Sequence, residues 1–435
     1  VKIKTLKLTN FRRFEELELN FDERLTILIA RNGTGKSSIL DALATNLGSF
    51  LTRLPKVSGM SPKATDFRID ATGKKPAYMR IFCESFNGIC WDRTERRDKS
   101  DRTKKQVPDA AGLKQLHKYV DNFVDNLNEE RSFDLPIFIH YGTGRGVFDI
   151  PQRRRGFGQS FPRFDALHGS LESRTNFKRF VEYFYHLEKE EDRLQKEARS
   201  FDIETPELKT IRRAVKKLMP DFSKPRTASP VGIKVDWLRD DVTHELRIEQ
   251  LSDGYRTTLA MVMDIASRMA EANPHLDNPL ETEGVILIDE VDLHLHPEWQ
   301  RDFLVRLIDV FPNIQFIVTT HSPFIVQSIK KGKLIDLDSD DSDLSSDLSK
   351  ELSIEDITED IMGLEDVKRS ALFNEQVKVS SEYYKLLNEG ISSTSQEILD
   401  LESRLDEIEE KFGDNPAYVA LLKTERRKVL KQGRE

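Results

Sequence analysis

The sequence predicts an α/β protein built around a largely parallel sheet. Three observations carry that reading. Leu25-Thr26-Ile27-Leu28-Ile29 is an apolar, β-rich run that leads straight into Ala30-Arg31-Asn32-Gly33-Thr34-Gly35-Lys36-Ser37. Gly284 to Asp289 is a second such run, ending in acid, and Ile314 to Thr320 is a third. Stretches of helical periodicity separate them. Strands that alternate with helices form parallel sheets, because each crossover needs the length that a helix supplies.

The first run gains meaning from its downstream neighbours. A strand, a glycine loop, Lys-Ser and the helical stretch Ser38-Ile39-Leu40-Asp41-Ala42-Leu43 form the context of a phosphate-binding P-loop. The glycines let backbone N–H groups turn inward around phosphate oxygens, and the helix N-terminus adds partial positive charge. Lys36 is expected to reach the β- and γ-phosphates and the Ser37 hydroxyl to hold Mg²⁺. Ala30, Asn32, Gly33, Thr34, Gly35 and Ser38 complete the candidate nucleotide contacts. Ala30 stands where the pattern has its first glycine; the added methyl is small enough for the loop to form.

The remaining elements come in chain order. Residues 1–29 alternate as a hairpin through Ile3, Leu6, Leu8, Phe14, Leu17 and Leu19 to the Leu25 run. Residues 77–94 read as two strands turning at Asn87-Gly88, and the charged run from Asp92 to Lys105 as a solvated loop. Residues 110–130 have helical spacing, 135–141 form a short buried strand, and 142–170, rich in Gly, Arg and Phe, form a loop. Helices are expected over 175–199, 206–219, 251–272 and 297–310, with a strand pair within 231–250. From Asp336 to Asp360 the chain holds eleven Asp or Glu, one Lys and many serines, the composition of a disordered linker. Helical stretches at 365–388, 394–412 and 416–431 come last. The middle one carries an apolar seam of Ile398, Leu401, Leu405, Ile408 and Phe412.

Composition narrows the function classes. At 435 residues the chain can build a large core and two or three structural units. A net charge of −8 confines any nucleic-acid binding to a local basic face. Cys83 and Cys90 do not form a C-x-x-C, which indicates neither a zinc site nor a disulfide framework. No stretch has the ~20 apolar residues that span a bilayer. The start, Val1-Lys2-Ile3-Lys4, reads as a strand and not a signal peptide, so a cytoplasmic protein without a membrane partner is expected.

Chemistry concentrates downstream of the P-loop. Val285-Ile286-Leu287-Ile288-Asp289-Glu290 delivers two adjacent carboxylates from a strand end, the Walker B arrangement. Asp289 is expected to hold Mg²⁺ through water and Glu290 to polarise an attacking water. His321, just past the third apolar strand, suits a contact to a γ-phosphate. Leu251-Ser252-Asp253-Gly254-Tyr255 opens a helix with Ser252 or Asp253 as its cap, and a Ser/Gly helix tip binds phosphate oxygens. His294 and His296 beside Asp289 and Asp292 admit a metal reading, against which Leu293 and Leu295 favour a packed turn. Arg145 is a weaker candidate for touching nucleotide. Two basic clusters, Arg93 to Lys105 and Arg153, Arg154, Arg155 and Arg163 with Phe157, Phe161 and Phe164, suit DNA or RNA contact, and at least as well a solvated loop or pairing with the chain's own acids.

Taken in order, the P-loop, Leu251 to Tyr255, Ile286 to Glu290 and Thr319 to Pro323 resemble the ABC-type ATPase heads of the recombination-repair and chromosome-maintenance group. Leu8-Thr9-Asn10-Phe11-Arg12 is similar to that group's first strand. The run from Leu287 to Gln300, with Tyr141-Gly142, Phe164 to Leu167 and Ile211 to Val215, resembles the AAA-type ATPases of the overcoming-lysogenization-defect class. Within that class it resembles the PtuA group of Septu and retron anti-phage systems.

The resemblance implies an α/β ABC-ATPase head, a P-loop sheet with an antiparallel β subdomain and a helical insertion, plus a C-terminal helical region. The implied divisions are an N-terminal lobe 1–94, an insertion and helical lid 95–245, a C-terminal lobe 246–335, an acidic linker 336–362 and a helical region 363–435. It implies a homodimer or higher homo-oligomer in which ATP lies between one copy's Lys36, Ser37, Asp289, Glu290 and His321 and the other's Ser252 and Gly254. Asp292 then faces that interface. ATP hydrolysis with Mg²⁺ would regulate a separate effector, an HNH nuclease. Two further readings stand beside it. One is an ATPase that processes DNA ends in repair. The other is a nucleotide-dependent scaffold without turnover, for which Ala30 and the acidic-helical tail speak. The sequence has no long heptad arms, no C-x-x-C hook and no acidic cluster resembling a Toprim nuclease.

Overall fold

The computed structural model describes residues 1–146, 161–173, 177–329, 331–339, 343–345, 354, 357–358, 362, 375, 378–380, 382–383, 385–386 and 395–411. The chain divides into two compact units, Val1–Met362 and Gly363–Glu435.

In the first unit, alternation at the N-terminus makes β1 (Ile3–Phe11) and β2 (Phe14–Asn20) an antiparallel hairpin with Leu8 opposite Leu17. The Leu25 run, β3 (Leu25–Ile29), does not continue the hairpin as expected. It is buried along its whole length and pairs in a different sheet, because a strand apolar on both faces belongs between two layers. The P-loop follows, then α1 (Lys36–Leu51). β4 (Tyr78–Ser85) and β5 (Cys90–Arg96) turn at Asn87-Gly88 and complete a four-stranded antiparallel sheet in the order β2-β1-β4-β5. β5 extends into the charged run expected to be loop. Trp91 and Asp92 are buried there, and the Gly112 N–H donates to the Asp92 carboxylate at 2.7 Å. The charge beyond Asp92 reflects an edge strand whose outer residues meet water. A short helix, α2 (Asp101–Lys104), ends that run behind a Ser100 cap.

Next come α3 (Lys114–Asn128), β6 (Ile137–Tyr141), α4 (Lys178–Ala198) and α5 (Pro206–Leu218). A three-stranded antiparallel sheet follows, made of β7 (Phe222–Ala228), β8 (Gly232–Arg239) and β9 (Val242–Arg247). The chain then forms α6 (Asp253–Ala272), β10 (Gly284–Ile288), α7 (Pro297–Val310), β11 (Ile314–Thr319), α8 (Pro323–Ser328), β12 (Lys333–Asp336) and β13 (Asp343–Ser345).

The central sheet has the order β13-β12-β3-β11-β10-β6 and is parallel except for β13. β11 lies between the P-loop strand and the strand that carries Asp289. The C-terminal ends of β3, β11 and β10 therefore open side by side, the edge at which α/β sheets bind ligands. Residues of the expected acidic linker supply β13 and the end of β12, which pairs with β3 from Lys333 opposite Thr26 to Asp336 opposite Ile29.

In the second unit the expected middle helix is α9 (Gln396–Lys411). Ile398, Leu405 and Ile408 are buried on its seam, and Tyr383 packs with Ile398 and Leu405. Phe412, the stretch 416–431, Arg153 to Arg155 and Phe157 lie outside the described residues.

Candidate nucleotide site

A cleft of about 330 Å³ opens at the C-terminal edge of the central sheet. It is lined by Asn32, Gly33, Gly35, Lys36, Ser37, Ser38, Asp289, Glu290 and His321. The two ends of that lining, Asn32 and His321, come from opposite ends of the first unit's sequence.

The loop's shape depends on its glycines. Gly33 and Gly35 have φ of +82° and +107°, where side chains are strained. A β-carbon on Gly35 would also lie 2.6 Å from Phe14 Cζ. The first residue of β2 supplies that contact, and Arg13, in the turn just before it, donates from Nη1 to the Gly33 carbonyl at 2.5 Å. Gly35 occupies the N-cap of α1 without a capping side chain, which leaves the first amides of the helix open toward the cleft. Ala30 and Thr34 support the loop from behind. Lys36 Nζ donates to the carbonyls of Ala30 (2.7 Å) and Arg31 (3.2 Å). The Thr34 hydroxyl sits 2.9 Å from the Arg31 carbonyl and 3.0 Å from Asp338 Oδ1. Asp338 also accepts from the Arg31 N–H, so the chain just past β12 ties down the loop.

On the far wall, Asp289 and Glu290 are organised by Thr319. The Thr319 hydroxyl donates to Asp289 Oδ1 at 2.6 Å and accepts from the Glu290 N–H at 2.7 Å. Glu290 has φ +47°, a left-handed conformation that aims its side chain back over the cleft. Arg145 does not line the cleft. It is 2% exposed, and its guanidinium donates to the carbonyls of Asp289 and Glu290, each at 2.5 Å. Its expected contact to nucleotide is therefore replaced by one to the carboxylate-bearing turn.

Electrostatics matches this arrangement. Burial pulls the Lys36 ammonium below its ordinary range, while Asp289, Asp338, Glu290 and Asp292 pull it back. Burial, reinforced by the Lys36 charge, lowers His321 below the usual histidine value, against the pull of Asp292, Glu290 and Asp289. The ring is neutral at neutral pH, with one nitrogen to donate and the other to accept.

Asp292, expected to face another copy, is engaged within its own chain: it accepts from the Thr320 hydroxyl at 2.5 Å and the His321 N–H at 3.4 Å. Among the described residues no group of His, Cys, Asp and Glu is arranged to hold a metal by itself. His296 instead caps α7, its Nδ1 accepting from the Glu298 N–H at 3.4 Å. A Mg²⁺ ion bound with a nucleotide fits a different donor set. Ser37 lines the cleft, and Asp289 has one oxygen fixed by Thr319 and the other left for a water-bridged cation.

Ser252 and Gly254 do not join this cleft. Ser252 is exposed at the N-cap of α6, but its hydroxyl makes no capping bond, nor does the Asp253 side chain, which instead accepts from Arg256 at 2.7 Å. Gly254 packs against the His294 carbonyl so closely that a β-carbon would collide with it. Of the second basic cluster, Phe161, Arg163 and Phe164 are among the described residues. Arg163 donates to the carbonyls of Ala272 and Phe133, both at 2.6 Å, and lies 3.9 Å over the Phe133 ring, while Phe164 is buried. Both are structural rather than a grip for nucleic acid. Sequence reasoning missed Thr319, Arg13 and Asp338; only the Thr319-Thr320-His321 run gave a signal for any of them.

A glycine cradle, a lysine, paired strand-end acids and a histidine around one cleft, on a parallel sheet flanked by an antiparallel one, define a P-loop ATPase with an ABC-type head. The chain belongs to the AAA-domain family, which residues 5–223 match. Residues 124–327 match a second family, described as AAA domain, putative AbiEii toxin, Type IV TA system. Three relatives extend over most of the chain. The Retron Ec83 probable ATPase of Escherichia coli is 29% identical, covering 76% of this chain and 70% of the relative. The Retron Vc95 probable ATPase of Vibrio cholerae serotype O1 biovar El Tor is 24% identical, covering 76% and 72%. The Septu protein PtuA of Bacillus thuringiensis is 23% identical, covering 89% of each. No helix among the described residues is long and apolar enough to cross a membrane.

Proposed function

We propose that this ATPase is the nucleotide-driven switch of an anti-phage system. Two copies close around ATP, and hydrolysis regulates a protein effector, an HNH nuclease. The observation that carries the reading is a division of labour on the surface. Lys36, Ser37, Asp289, Glu290 and His321 share one cleft, whereas Ser252 stands exposed elsewhere with its hydroxyl unspent as a cap. A second copy's α6 tip supplies what the cleft lacks, and ATP bound by both halves stabilises the closed pair.

In that pair the glycine cradle and Lys36 hold the phosphates. Glu290 takes a hydrogen bond from the attacking water and polarises it, and neutral His321 keeps that water and the γ-phosphate in line. Ser37, and Asp289 through water, would hold a Mg²⁺ ion, which would supply neutralisation of the phosphate charge. The names of the retron and Septu relatives support the defence setting, and the hydrolytic residues gathered in one cleft speak against a scaffold without turnover.

Native mass spectrometry of the chain purified with its genomic neighbours, with and without ATP, tests this reading. Glu290→Gln is expected to retain ATP in a multi-copy assembly with the effector bound, and Lys36→Ala to carry no nucleotide. Parental hydrolysis by Lys36→Ala, or a single-copy species with ATP, would overturn it.

A further inference from the structure

The turn carrying Glu290 has an unusual support. β10 ends at Ile288, and its neighbour β6 ends opposite it at Tyr141. Beyond that pair the Asp289 N–H still reaches the Tyr141 carbonyl at 2.8 Å, but the ladder then stops as the chain turns away at Gly142. The carbonyls of Asp289 and Glu290 therefore lose their strand partner just where Glu290 enters the left-handed region. Buried carbonyls must find donors. Arg145 supplies them: Nη1 to Asp289 O, Nη2 to Glu290 O, which also accepts from the Leu293 N–H at 2.8 Å, and Nη1 again to Gly142 O at 3.2 Å. The guanidinium thus brackets two successive peptide groups while rooted in the turn that ends β6. A planar fork can do this; a single ammonium cannot. Its charge also lies behind Asp289, Glu290 and Asp292, all of which act on it.

We propose that Arg145 is a positioning residue for ATP hydrolysis. It fixes the backbone from which Glu290 projects, and so the direction of the carboxylate, without touching nucleotide. The inference rests on the reading of Glu290 as the group that polarises water. Arg145 belongs to neither the glycine loop nor the strand-end acids. Its effect should fall on turnover and leave binding alone, because a misdirected base still leaves the phosphate cradle intact.

The test uses the full chain. Steady-state hydrolysis and titration with a fluorescent non-hydrolysable ATP analogue are measured for Arg145→Met, Arg145→Lys, Glu290→Gln and the Arg145→Met/Glu290→Gln double variant. Arg145→Met is expected to lower kcat about 100-fold, the cost of a displaced catalytic group, with KM and analogue affinity within about threefold of parental. Arg145→Lys keeps the charge but loses the fork, and is expected to rescue less than about a tenth of the lost rate. It also serves as the folded comparison if the methionine variant does not accumulate. In the Glu290→Gln background, removing Arg145 should lower the residual rate no further. Parental kcat in Arg145→Met, full rescue by lysine, a loss of analogue affinity matching the loss of rate, or additive losses in the double variant would each overturn the proposal. Parental hydrolysis by Glu290→Gln would instead overturn the assignment beneath it, whatever Arg145 does.

Discussion

Replacing Thr319 by valine removes one hydroxyl and almost no volume, and the structure shows what depends on that oxygen. Thr319 is buried on β11, and its hydroxyl both donates to Asp289 and accepts from the Glu290 N–H. Valine leaves a mostly buried carboxylate short of one donor and orphans a backbone N–H. A hydrogen bond to a charged group contributes about 1.5–3 kcal/mol, and a buried unsatisfied donor costs about 1–3 kcal/mol. The two losses share one atom and do not add fully, so a destabilisation of about 3 kcal/mol is expected. Thr319→Ser keeps the hydroxyl and gives up one methyl, about 1 kcal/mol. Urea unfolding followed by tryptophan emission reads the difference, because Trp91, Trp237 and Trp299 all lie in the first unit. The valine variant should be less stable than serine and should hydrolyse ATP more slowly. Equal stability of the two variants would refute the claim that this hydroxyl organises the acidic turn.

Three other outcomes rest on the same geometry. Gly35→Ala combines a φ of +107° with a β-carbon on top of Phe14, and should weaken binding of a fluorescent ATP analogue about tenfold or more; Gly33→Ala, with open space around it, should cost less, and equal affinities would contradict this. Because burial and Lys36 depress His321, its neutral form persists as pH falls past 6.5. The neutral ring is the form the folded state favours, so stability is unaffected above that value and is lost as pH drops below it, until the lower folded-state pKa is passed. The acid limb of the pH–rate profile should therefore lie below 6.5, and an acid limb above it that vanishes in His321→Gln would be inconsistent. Arg163→Met should lower thermal stability by about 2 kcal/mol through lost hydrogen bonds and ring stacking. A drop in affinity for labelled DNA or RNA without loss of stability would instead restore Arg163 to a nucleic-acid surface.

The parts of the fold legible in the sequence were those with strong patterning. The apolar runs at Leu25, Gly284 and Ile314 are the three adjacent strands β3, β10 and β11, and the helix from Pro297 to Val310 has the bounds its proline start implies. β7 was hidden because Lys224, Pro225 and Arg226 break its alternation, with a register shift at that point. β12 was hidden because its four residues merge into an acidic run, and pairing with β3 overrides that composition. At the site, the P-loop, strand-end acids and His321 read from motif spacing line one cleft, whereas Ser252 and Gly254, read the same way, lie apart from it. Arg145, Asp338 and Thr319 were not legible as supports, since their partners are backbone groups and carboxylates placed by turns distant in sequence.

Central to this reading of the protein is a nucleotide held by two copies at once. Mixing Lys36→Ala with Ser252→Arg, each inactive alone, tests it most directly. A pair formed from one of each contains one site with the native Lys36 of one copy facing the native Ser252 of the other. At equal amounts, half the pairs are mixed and each has one intact site, so about a quarter of parental hydrolysis should return in a two-fold assembly. A mixture as inactive as its components would contradict a shared site.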